Sequence, residues 1–379
     1  MARDGLRVGL FLAAFFAAGA VSTAYLPVWF AGRGLSSAEI GQVLGLGFLL
    51  RVAVVPGWGR LADAVGSRTV LFVGAVVAAG GAALLPPAQG FGAILLISAV
   101  HGVSASALTP LTDALTLALA AARRLDYGRT RAFGSVAYMA ATASGGALLG
   151  LLGAGLVPWA IAGFYALSAG LALALPGVAS PPAARIQQGA WRFPSFRLAL
   201  LATALIQGAH AAYYAFATLH WRTAGIPDGV IGLLIAEGIV AEVALFIWGR
   251  PLVERLGPAR LTALAAGASL LRWTATAFVT EVPVLAAVQL LHALTFACQH
   301  LSTMLVLRTL PAQRAGTAQA LMSALGFSAP TGLLVWLSGL IYGAAGGLAF
   351  LLMAAVGGSA LLVVPALARA LPPAAARRP

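Results

Sequence analysis

Residues 59–68 read GRLADAVGSR. This short stretch carries two arginines and an aspartate between two apolar runs, 39–58 and 70–86. A run of about 20 apolar residues crosses a bilayer. Only helices and closed barrels satisfy their backbone groups inside lipid. The same alternation continues in both directions. Apolar runs fall at 7–30, 39–58, 70–86, 91–118, 132–153, 156–176, 198–221, 230–249, 261–280, 283–307, 316–341 and 345–368. The alternating polar and apolar pattern of a membrane barrel is absent. The chain therefore reads as an all-α membrane protein with 12 transmembrane helices. Composition agrees: 61% of residues are hydrophobic and 9% charged, against about 25% charged in a soluble domain.

The net charge of +13 does not signal a nucleic-acid partner, because its placement follows the membrane. All basic residues are arginine. Arg3 and Arg7 precede the first run, and Arg60 and Arg68 follow the second. Arg123, Arg124, Arg129 and Arg131 follow the fourth, and Arg185, Arg192 and Arg197 the sixth. Arg250, Arg255 and Arg260 follow the eighth, Arg308 and Arg314 the tenth, and Arg369, Arg377 and Arg378 the last. The opposite loops hold only Arg33 and Arg222. This positive-inside pattern places both termini in the cytoplasm. No small-residue cleavage site follows the first run, so it is expected to stay as a membrane helix. The all-arginine, alanine-rich usage points to a GC-rich bacterium, and so to a bacterial cytoplasmic (inner) membrane. The lone Cys298 excludes an internal disulfide and a cysteine metal site. No HExxH, phosphate loop or serine-nucleophile motif occurs. Neither an enzyme, a metal nor a cofactor is expected.

The two halves repeat at one offset. Gly34-Leu35 matches Gly225-Ile226, Ile40-Gly41 matches Ile231-Gly232, and Leu61 and Asp63 match Leu252 and Glu254. Gly66 matches Gly257, and His101 matches His292. The division is then 1–176, a Pro-containing polar linker at 177–196, and 197–379. Two pseudo-symmetric six-helix halves form the plan of a major facilitator transporter, with its substrate site near the midplane. The opening stretch resembles the loop motif of that superfamily: Gly59, Leu61, Asp63, Gly66 and Arg68 match, while Ala64 replaces an arginine. Glu254-Arg255 keeps that acidic-basic order in the second half. The resemblance implies a cytoplasmic gate at Asp63, Arg68, Glu254 and Arg255.

A narrower resemblance rests on TPLTDAL (109–115), LDYGRTRAFGS (125–135), QGAHAAYYAF (207–216), VAEV (240–243), LRW (271–273) and QLLHALTFACQH (289–300). These resemble the 3-phenylpropionate transporter branch of the superfamily, which shares broader similarity with nucleoside and oligosaccharide proton symporters. The resemblance implies inward transport of a small aromatic monocarboxylate with protons.

Charged side chains inside spans cost about 2.5–3.5 kcal/mol each on insertion scales, so they mark function or a partner. Arg51 and Asp113 lie at similar depth and are expected to pair, as are Glu242 and Arg272. An arginine favours the charged form of a neighbouring carboxylate, so a movement that breaks such a pair takes up a proton. In the seventh run Gln207, His210 and Tyr214 share one helical face. Gln289, His292, Gln299 and His300 form a second stripe with Phe296, and His101, Ser104 and Thr112 a third. The expected substrate-binding set is Tyr25, His101, Gln207, His210, Tyr213, Tyr214, Arg272, Gln289, His292 and Phe296. The substrate carboxylate is expected on Arg272, or second on Arg51, and its ring on Tyr213, Tyr214 and Phe296. Ser98 stands where many proton-antiporting facilitators carry an arginine, and the fifth run lacks the Gly-Pro pair of drug antiporters. Both favour symport over drug efflux. The expected partners are a small-molecule substrate, protons and the lipid bilayer, in a monomer. Histidine, glutamine and tyrosine would also suit a nucleoside or an oligosaccharide.

Overall fold

The computed structural model describes residues 3–176 and 189–371. The first part of the linker, 177–188, with Arg185, lies outside the described residues. Helices form throughout: α1 (Arg3–Gly32), α2 (Ser37–Val65), α3 (Ser67–Leu84), α4 (Gly90–Ala105), α5 (Leu108–Ala121), α6 (Tyr127–Leu152) and α7 (Leu156–Ala172). There follow α8 (Pro194–Gly208), α9 (Ala211–Thr223), α10 (Asp228–Trp248), α11 (Arg250–Phe278), α12 (Val282–Leu290), α13 (Gln299–Leu307) and α14 (Ala312–Leu321). The last are α15 (Ala329–Ala345), α16 (Ala349–Ser359) and α17 (Val364–Ala370). Among the described residues, 9 helical stretches are long and apolar enough to cross a membrane. One of them, Gly316–Ala370, is 55 residues long, far more than the ~20 that a single crossing needs. This is a multi-pass membrane protein.

Local chemistry explains the helix ends. Ser36 caps α2: its hydroxyl accepts from the Glu39 amide, and Glu39 accepts from the Ser36 amide at 2.8 Å. This reciprocal pair satisfies two amides that the helix start leaves without partners. Asp126 caps α6 in the simpler way, accepting from the Arg129 amide at 2.7 Å. Two repeated glycine pairs share one backbone state. Gly34 and Gly225 have φ of 83° and 81°, and Gly66 and Gly257 have 88° and 67°. Only glycine adopts this left-handed region freely. Gly257, followed by Pro258, kinks α11.

The chain divides into two compact units. The first holds the described part of Met1–Ala183 together with Ala215–Ala236. Here α1 is the interior helix and packs mainly on α6 and α7. The approach of α10 to α6 is very close. A Cβ on Gly146 would collide with the Asp228 carbonyl and lie 3.0 Å from Gly232 Cα. Tyr25 closes the same corner, its hydroxyl donating to the Thr142 carbonyl, and Thr218 donates to the Ala24 carbonyl at 2.7 Å. Gly146→Leu should therefore destabilise this unit by about 1–3 kcal/mol through overpacking. Thermal unfolding in detergent checks this, with Gly163→Leu as the neutral comparison, since nothing lies within 4 Å of a Cβ there.

The second unit holds the described part of Ala184–Tyr214 together with Glu237–Pro379. Its core groups α8, α11, α13 and α16. Two π-helical segments interrupt it, Ala293–Cys298 and Met322–Ser328. Such bulges shift the facing of every residue beyond them and recur at functional sites.

Candidate functional site

Arg272, on α11, is the hub of the second unit. It is 0% exposed, so its guanidinium hydrogens must be satisfied from within. Nη1 donates to His292 Nδ1 at 2.8 Å and to Thr295 Oγ1 at 3.0 Å, and Nη2 to Gln289 Oε1 at 3.0 Å. The guanidinium carbon lies 4.8 Å from the Tyr213 ring centre and 4.4 Å from that of Trp273. The cation is thus held between two π faces. Gln289, at the end of α12, and His292 and Thr295, at and inside the π segment, all turn toward α11.

Glu242, on α10, reaches this hub through a histidine. His292 Nε2 lies 3.1 Å from Glu242 Oε2. A guanidinium only donates, so His292 Nδ1 accepts from Arg272. The ring hydrogen then sits on Nε2 and is donated to Glu242. The expected Glu242–Arg272 partnership is therefore built as a chain, carboxylate to imidazole to guanidinium. The Glu242 side chain is 17% exposed and that of His292 9%, so the carboxylate is the more open end of the chain.

Aromatic rings surround the hub. His210 sits between α8 and α9, edge-on to Trp273 at 5.2 Å and to His292 at 5.6 Å, and stacked on Tyr214 at 5.8 Å. His210 Nδ1 donates to the Ile206 carbonyl at 3.1 Å. A neutral His210 therefore accepts at Nε2, 3.2 Å from Thr295 Oγ1. His292, Phe296 and His300 form a ladder with ring centres 5.4 and 6.5 Å apart. Gln207 donates to the Phe296 carbonyl at 3.3 Å. Gln207 Oε1, Gln289 Nε2 and Arg272 Nε are buried with no hydrogen-bond partner among the described residues.

The structure corrects two expectations. Asp113 pairs with Arg131 at 3.8 Å, not with Arg51. Depth counting assumed one straight helix over 91–118, but the break at 106–107 between α4 and α5 redirects every side chain beyond it. Gln299 leaves the His292 stripe, because the π segment turns it toward Thr203 Oγ1 at 3.0 Å. Tyr25 lies in the first unit and spends its hydroxyl on packing against α6. Of the gate residues, Glu254 pairs with Arg250. Neighbouring residues on a helix diverge, whereas i and i+4 meet. That pair is 83% and 59% exposed on its two sides and is worth little. Asp63 is exposed, and Arg68 donates to the Leu173 carbonyl.

His101 belongs to a separate cluster in the first unit. Its Nδ1 donates to the Ala78 carbonyl at 2.8 Å, and its ring lies edge-on to Tyr165 at 5.4 Å. Arg51 lies over Phe48 at 5.2 Å and interacts electrostatically with both His101 and Tyr165. Trp273, Thr295 and Tyr165 were missed by the sequence reading. Trp273 adjoins Arg272, and Thr295 lies three residues past His292, so spacing could have raised both. Nothing in the sequence connects Tyr165 to His101.

Comparison with known proteins gives the family. Residues 6–353 match the family model described as the MFS_1 like family. The chain belongs to that family of major facilitator transporters. The transporter is 30% identical over 366 residues to the "Probable 3-phenylpropionic acid transporter" of Escherichia coli (strain K12), covering 89% of this chain and 91% of that protein. It is 29% identical over 252 residues to the "Maltose permease" of Geobacillus stearothermophilus, covering 64% of this chain and 63% of the relative. In fold it resembles the crystal structure of the nucleoside transporter NupG, with a TM-score of 0.78 at 15% identity, over 97% of this chain and 99% of that one. These are transporters and not enzymes.

Proposed function

We propose that this transporter takes up a small aromatic monocarboxylate, such as 3-phenylpropionate, together with one or more protons. It does so as a monomer of twelve membrane helices in two six-helix halves, in a bacterial inner membrane with both termini cytoplasmic. The substrate reading is supported by the 30% identity to a probable 3-phenylpropionic acid transporter and by the aromatic surroundings of Arg272. The coupling reading is carried by one observation, the Glu242–His292–Arg272 chain.

The chain supplies a proton device from its own side chains. Charged Glu242 accepts the His292 Nε2 hydrogen, which leaves Nδ1 free to accept from Arg272. A proton on Glu242 weakens that acceptor. A proton on His292 would set an N–H against the Arg272 N–H, and donors do not pair. Either event loosens Arg272 from the π segment that bears Phe296. Protonation is thereby converted into a change of backbone and ring position where the substrate ring stacks on Tyr213, Tyr214 and Phe296. The polar groups left unpaired at Gln207 and Gln289 suit the hydrogen bonding of a bound solute. The loop residues Asp63 and Arg68 act in gating, on the strength of the motif.

Uptake of labelled 3-phenylpropionate into proteoliposomes under an imposed inward proton gradient tests this. Accumulation that a protonophore abolishes and unlabelled cinnamate competes away is the expected result. Folded protein that accumulates maltose and ignores the acid would refute it. The maltose permease relative makes an oligosaccharide the second reading.

A further inference from the structure

Within the second unit, a line of rings leads away from the Glu242–His292–Arg272 chain. His292, Phe296 and His300 stack in turn, and the Phe296 and His300 planes lie 4° apart. On α10, Phe246 comes one turn after Glu242 and meets His300 edge-on at 5.9 Å. Both steps run toward the ends of α10 and α13, which Arg250 and Arg308 follow. Glu242 and His300 are thereby brought near enough to interact electrostatically. Exposure rises along the line: Arg272 and His292 are buried, Phe296 is half-buried and His300 is exposed.

His300 makes no hydrogen bond and no ion pair among the described residues. An ionisable side chain within a span faces the bundle interior or water, and its exposure puts this one on the water side. Of the charged groups on the elements around it, Glu242 alone acts on it electrostatically. Arg272, on α11, is committed to His292, Thr295 and Gln289, and Arg250 and Glu254 to each other. Arg314, on α14, lies over Phe193 at 5.3 Å, and Cys298 is buried in the apolar core. The first unit has no such ladder. At the offset that relates His101 to His292, Ala105, Thr109 and Val55 stand where the second unit has Phe296, His300 and Phe246. Arg51 stands there in the position of Glu242. The ladder therefore goes with the carboxylate and not with packing common to both units.

We propose that His300 is the relay through which this carrier releases its proton, taking it from Glu242 and handing it to water. In the first step the carboxyl O–H of Glu242 breaks and an N–H forms on His300 through a bridging water, leaving a carboxylate and an imidazolium. In the second step that N–H breaks to water, and the neutral imidazole is restored. The proton leaves on the cytoplasmic side in the proposed orientation. This rests on the proposed proton-coupled uptake and adds the group that empties Glu242. A relay lowers a barrier and leaves the equilibrium alone. Glu242 thus sets whether transport is coupled, and His300 sets how fast it runs.

The experiment follows labelled 3-phenylpropionate entering proteoliposomes of the full-length protein under a constant inward proton gradient, and separately its counterflow exchange. His300→Gln slows initial uptake by about 10- to 100-fold, at or below the low end for a positioned proton-transferring side chain because water partly replaces it. It still accumulates substrate uphill to the wild-type level. Its exchange, which needs no proton release, keeps the wild-type rate and shows that the variant is folded. His300→Glu recovers part of the uptake rate, with the dependence on lumenal pH displaced downward, since a carboxylate titrates about two units below an imidazole. A structural defect would slow exchange too and would not be mended by a different titratable group. If His300→Gln takes up substrate as fast as the wild type, His300 is no relay and the uptake reading survives. If it slows uptake and exchange together, the side chain is structural and the relay assignment falls. If the wild type shows no gradient-driven uptake, the coupled-uptake reading falls, and this assignment with it.

Discussion

Glu242→Gln should abolish proton-driven accumulation while leaving exchange of substrate across the membrane intact. The glutamine carbonyl can still accept from His292 Nε2, so the 3.1 Å contact and the ring orientation survive. What disappears is the group that changes charge. A gradient of one pH unit supplies about 1.4 kcal/mol per proton, which a coupled carrier turns into roughly tenfold accumulation. The variant should level off at the external concentration under the same gradient, with counterflow exchange close to the wild type. Retained uphill accumulation would rule Glu242 out as the proton site. Loss of exchange as well would point to a structural role. His292→Gln makes a useful companion, because it breaks the chain at its middle and should also uncouple.

Arg272→Met should be the most destabilising single change in the second unit. It leaves His292 Nδ1, Thr295 and Gln289 Oε1 without the donor they now share. It also removes a cation from between Tyr213 and Trp273. Breaking a buried charged network by deleting one member costs about 3–5 kcal/mol, since the remaining groups cannot reach water. Thermal unfolding in detergent should show a fall of many degrees. Arg272→Lys should rescue little, because one ammonium cannot reproduce the two-nitrogen fork or its flat stacking. A Met variant as stable as the wild type would mean that the network contributes nothing net to stability.

These two residues also show what could be read before folding. Glu242 and Arg272 were both legible, since a charge inside an apolar run is conspicuous. Their connection was not. Depth along two helices predicted direct contact, whereas the π segment at 293–298 presents His292 between them. Asp113 failed for the related reason that the break before α5 leaves no sequence signal strong enough to fix its facing.

Sequence alone determined that the chain is a bundle of membrane helices and where most of them begin and end. Lipid leaves the backbone no alternative, and the arginine-bearing loops and positive-φ glycines are local chemistry. It also offered a repeat at one spacing, on which the positive-φ glycines Gly34 and Gly225, and Gly66 and Gly257, fall. The tertiary structure alone decided which polar side chains meet. Facing depends on kinks and bulges of a single residue, and those answer to packing between helices distant in sequence. Gly146 against Asp228 and Gly232, Gly81 against His101, and Tyr165 beside both His101 and Arg51 are all of that kind.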